Sequence, residues 1–89
     1  MTDGGDLDRQ IEERMRLLLA RAAPGRTICP SDVARSLSAD DWRPLMEPTR
    51  VVVRRLVAEG EVEITQRGEV VDPSTVRGPI RIRPVRQVV

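Results

Sequence analysis

The sequence predicts a mostly helical fold carrying a small β-hairpin, and three observations predict it. Apolar residues recur at helical spacing in three separate stretches, Ile11 to Ala22, Val33 to Leu37 and Thr49 to Leu56. The alternating run Val62-Glu63-Ile64-Thr65-Gln66 meets Arg67-Gly68 and returns as Glu69-Val70-Val71. The β-favouring triplet Thr27-Ile28-Cys29 stands directly before the second helical stretch. Strand, capped helix, turn, helix and hairpin, in that order, describe a winged helix-turn-helix: a three-helix core plus a wing. We place this domain at residues 8–83, between a disordered tail at 1–7 and a loose tail at 84–89.

The first helix is expected from Asp8 to about Ala22. Ile11, Met15, Leu18, Leu19 and Ala22 fall on one face, and Asp6 or Asp8 supplies a cap. Glu12 and Arg16 are spaced for an i,i+4 ion pair. Ala23-Pro24-Gly25 ends the helix. The second helix is expected from Pro30 to Leu37, because proline suits a first turn whose N–H groups have no partner and Ser31 and Asp32 suit its positive end. Its inner face is Val33, Ala34 and Leu37.

Ser38 to Trp42 breaks that helix, and Asp41 to Met46 forms one short turn. The third helix is expected from Pro48 to Glu59, with Pro48 at its first position and Gly60 as a left-handed cap. Thr49, Val52, Val53 and Leu56 make its buried stripe, although the valine run Val51 to Val53 mildly disfavours a helix. In the hairpin, Val62, Ile64 and one of Val70 or Val71 face the helices. Asp72-Pro73-Ser74-Thr75 reads as a cap and a single turn.

Beyond the break Arg77-Gly78-Pro79, the run Ile80-Arg81-Ile82-Arg83 alternates with period two. It reads first as an edge strand docked on the body with its arginines in water. A basic arm beside an anionic partner and a strand offered to another protomer are the alternatives.

Composition bounds the function. Eighty-nine residues make one domain with one modest core, which must be aliphatic because Trp42 is the only aromatic residue. That small core makes a homodimer an open alternative. With no histidine and no Gly-rich phosphate loop, the chain supplies neither an imidazole base nor a cofactor cradle, so no enzyme, metal, cofactor or small-molecule ligand is expected. Cys29 is read as a small buried hydrophobe in preference to a reactive thiol, and Trp42 as core. A single cysteine fits a reducing cytoplasm, no apolar run is long enough to span a membrane, and Met1 to Asp6 does not resemble a signal peptide.

Every basic residue is arginine, and the formal net charge is only +1. The balance is uneven: residues 76–89 carry four arginines and no acid, whereas residues 1–75 carry eleven arginines and fourteen acids. The expected partner is duplex DNA, as for a small transcriptional regulator. Arg50, Arg54 and Arg55 would grip it from the third helix, Arg67 from the wing tip, and Arg81 and Arg83 from the final strand. The acidic balance of the body opposes this and favours a protein–protein interaction module on the same scaffold.

Five blocks together carry a family resemblance: TICPSDVARSL (Thr27 to Leu37), WRPLM (Trp42 to Met46), RRLVAEGEVEITQRG (Arg54 to Gly68), VVDP (Val70 to Pro73) and RGPIRIR (Arg77 to Arg83). Across roughly residues 8 to 83 the chain resembles the domain of unknown function 3253 family. The resemblance implies a short bacterial protein with a winged-helix-like fold. It brings no catalytic residues to carry over. The chain departs from the family pattern at Val51 to Val53, where more alanine is expected.

Overall fold

A computed structural model describes residues 4–22 and 26–85. Within them the protein is mixed α/β: three α-helices pack on a three-stranded antiparallel sheet, an order compatible with a winged-helix-like layout. The expectations for residues 1–3, for Ala23-Pro24-Gly25 and for residues 86–89 lie outside the described residues.

Helix α1 spans Gly4–Arg21 and buries Ile11 and Met15 completely, with Leu7, Leu18 and Leu19 packed around them. It starts four residues before the expected Asp8, so residues 4–7 are its first turn and not tail. Asp6 lies in that turn, where a carboxylate suits the positive end of the helix dipole.

Helix α2 is Pro30–Leu37, with the expected bounds. Asp32 Oδ2 accepts the Cys29 backbone N–H at 2.8 Å, and the Asp32 N–H donates to Cys29 O at 2.9 Å, which closes the first turn. Val33 and Ala34 are buried and Leu37 is half-buried. A 3₁₀ turn, Arg43–Leu45, then leads into α3, Met46–Ala58.

Helix α3 therefore begins two residues before the expected Pro48. Pro48 is accommodated because the first four N–H groups of a helix have no intrahelical acceptor. Thr49, Val52, Val53 and Leu56 form the buried stripe as expected, and the Thr49 hydroxyl donates to Leu45 O at 2.7 Å. At the far end Gly60 has φ +76°, its N–H donates to Val57 O, and the Glu61 N–H donates to Leu56 O. This is a Schellman closure, which favours glycine at the left-handed position.

Strands β1 (Val62–Gln66) and β2 (Glu69–Val71) form the expected hairpin. Arg67 and Gly68 both have positive φ, as a two-residue type I′ turn requires. Val71, not Val70, turns inward: Val71 is half-buried and Val70 is 56% exposed.

The sheet is larger than the hairpin alone, because the run read first as a docked edge strand is one. A third strand, β3 (Arg81–Pro84), pairs antiparallel with the other edge of β1, giving the order β2-β1-β3. Ile82 lies opposite Ile64 and is fully buried. Ile28, from the predicted first strand, bridges Ile82 through two backbone hydrogen bonds. The hairpin alone would leave one edge of β1 open; β3 fills it and Ile28 extends the pairing. The core is thus Ile11, Met15, Ile28, Val33, Val52, Val53, Leu56, Val62, Ile64 and Ile82.

Candidate nucleic-acid interface

The third helix has one buried stripe, so its other residues divide between an outer face and two flanks. Met46, Arg50 and Arg54 line one flank, together with the edge of buried Val53. A cleft of about 430 Å³ opens there. Its second wall is the β2–β3 connection, through Pro73, Val76, Gly78, Pro79 and Ile80, and its floor is the start of α2 at Cys29, Pro30 and Ser31. Among the described residues the lining contains two arginines and no carboxylate.

Local chemistry holds the connection in place. Asp72 Oδ1 accepts both the N–H and the hydroxyl of Ser74 at 2.8 Å, and Asp72 O accepts the Thr75 and Val76 N–H groups, which makes the expected single turn. The Ser74 N–H, then its hydroxyl, hold the Asp72 carboxyl below the usual aspartate range. Gln66 Nε2, at the end of β1, donates to Arg77 O at 2.6 Å and to Pro79 O at 3.2 Å.

The six arginines singled out in the sequence do not come together. Arg50 is exposed and has no ion-pair partner among the described residues, and the same holds for Arg67 at the hairpin turn. Arg54 shares the cleft with Arg50 and meets Glu47 at 3.2 Å. Arg55 points the other way, toward α1, where it pairs with Glu12 at 2.7 Å and Glu59 at 3.5 Å. Arg83 pairs with Glu63 on the neighbouring strand at 2.6 Å. Arg81 folds back on the first strand: Nε donates to Thr27 Oγ1 at 2.7 Å, Nη2 to Thr27 O at 3.1 Å and Nη1 to Cys29 Sγ at 2.7 Å.

Two further expectations are corrected. Cys29 is half-buried, not buried, because it caps α2 beside the cleft and receives Arg81. Trp42 is half-buried and stands outside the core cluster. Its ring is covered instead by Arg35, 4.4 Å from the centroid, and Arg43, 4.8 Å from it. Sequence reasoning missed this cluster. The signal was available in Asp40-Asp41 before Trp42 and Arg43-Pro44 after it, a setting too polar and too short for an interior side chain.

A family model described as "Protein of unknown function (DUF3253)" matches residues 8–85. The chain belongs to the DUF3253 family. No curated protein matches it. In this DUF3253 protein no described helix is long and apolar enough to cross a membrane. Nor do the described residues place three or more His, Cys, Asp or Glu side chains where they could hold a metal ion.

Proposed function

We propose that this DUF3253 protein is a non-enzymatic winged-helix module that binds duplex DNA through the exposed flank of α3 and the hairpin turn. One observation carries the reading: Arg50 and Arg54 stand side by side on a cleft whose described lining has no acid, in a chain whose residues 1–75 are net acidic. The second helix of a helix-turn-helix is the element that enters the major groove, and guanidinium groups suit both phosphates and guanine edges. Arg67 adds a contact at the hairpin turn, where a cation meets backbone or a narrow minor groove. Arg55, Arg81 and Arg83 are engaged within the fold, so the proposed contact set narrows to Arg50, Arg54 and Arg67.

Fluorescence anisotropy of a labelled duplex, titrated at several salt concentrations, tests this. Each phosphate contact adds about −0.9 to the log–log salt slope, so Arg50→Ala/Arg54→Ala lowers the magnitude of the slope by about 2. The same change weakens binding by about 100-fold or more at low salt, the loss of two charge-assisted hydrogen bonds. Duplex binding equal in the double variant and the parent would sink the reading.

A protein–protein interaction module without DNA contact is the second reading. It is favoured by the outer edge of β2, which pairs with no strand among the described residues and presents Val70 at 56% exposure. Self-association or partner capture abolished by Val70→Glu, together with no duplex affinity, would establish it in place of the first.

A further inference from the structure

We infer that Arg35, Trp42 and Arg43 form a second anion site, one that takes the phosphodiester backbone of the duplex; the inference rests on the duplex-binding reading above. Both guanidinium carbons lie against one indole, so the two distances put them within about 9 Å of each other. A cation held over an aromatic face keeps its charge, and guanidinium N–H groups suit phosphate oxygens. Neither arginine has an ion-pair partner among the described residues, unlike Arg16, Arg54, Arg55 and Arg83.

In the chain the cluster joins the end of α2 to the start of α3, and Arg35 also borders a groove against α1 with Leu18, Arg21 and Ala22. Arg43 opens the 3₁₀ turn Arg43–Leu45, which runs directly into α3 at Met46, a residue that lines the cleft with Arg50. Arg35 lies in the last turn of α2, where a cation also suits the helix dipole. Asp32, which borders the same groove as Arg35, and Asp40 and Asp41 are the charges that oppose the site. All three are exposed, and none forms an ion pair with Arg35 or Arg43 among the described residues.

Trp42 is the only aromatic residue and reports on the site directly. The test titrates a labelled mixed-sequence duplex into the full chain and into Arg35→Ala/Arg43→Ala, with circular dichroism establishing that both are folded. The double variant is expected to bind about tenfold more weakly, with a salt slope smaller by about 2. Trp42→Leu, which keeps both charges but removes the platform, weakens binding while leaving the slope nearly unchanged. Asp40→Asn/Asp41→Asn strengthens binding, and Trp42 emission in the parent changes as duplex is added. Equal affinity and slope in the arginine double variant would overturn the inference while leaving the α3 reading intact. Equal competition by polyglutamate would overturn it in favour of a general polyanion surface. No duplex binding by the parent at low salt would remove both readings together.

Discussion

Arg67 is held at φ +56°, a backbone conformation that any residue with a Cβ adopts at a cost. The type I′ turn demands it, and glycine would satisfy the demand without strain. Arg67→Gly is therefore expected to stabilise the fold by about 0.5–1 kcal/mol in urea unfolding and to weaken duplex binding. Gly60 is the converse. Its φ is +76° and a Cβ would meet nothing within 4 Å, so Gly60→Ala tests backbone conformation alone. It should cost about 1–2 kcal/mol. Ile82 and Val70 calibrate the core in the same way. Ile82→Ala empties a fully buried position and should cost about 2–5 kcal/mol, whereas Val70→Ala, at an exposed edge, should change stability by less than about 0.5 kcal/mol.

At the scale of elements, a chain of charges ties α1 to α3 and to the turn after it. Arg16 pairs with Glu12 at 2.8 Å and with Glu61 at 2.8 Å, while Arg55 pairs with Glu12 at 2.7 Å and Glu59 at 3.5 Å. The Arg55 guanidinium, then that of Arg16, hold the Glu12 carboxyl below its ordinary range. A carboxylate with a lowered folded pKa stabilises the fold above its unfolded value and loses that contribution as pH falls through the folded value. Glu12→Gln should thus cost about 1 kcal/mol at neutral pH. The difference between parent and variant should shrink below about pH 4, as followed by circular dichroism in urea. The same network occupies Arg55. Sequence placed it beside Arg54 on α3, but only the packing of α1 puts Glu12 within its reach.

At the scale of the molecule, β3 is part of the core and not an appendage. A chain ending after Gly78 loses Ile82, the pairing with β1 and the bridge to Ile28. With a total stability of about 5–10 kcal/mol for a domain of this size, that loss should abolish cooperative unfolding by circular dichroism. Truncation there reports folding, so point substitutions at Arg50, Arg54, Arg35 and Arg43 are the means of separating DNA contact from protein contact.

The sequence by itself determined the elements and their inner faces: α2 to the residue, the buried stripe of α3, the glycine closure at Gly60 and the hairpin turn. Each depends on spacing or on backbone preferences within a few neighbouring residues, which are written in the local order of side chains. Only the tertiary structure decided that the docked strand at Ile82 pairs with β1 and bridges Ile28, that Arg55, Arg81 and Arg83 are held by Glu12, Thr27 and Glu63, and that Trp42 lies against two arginines. These depend on residues brought together from distant parts of the chain, and an exposed guanidinium carries no local mark of which partner the fold will bring to it.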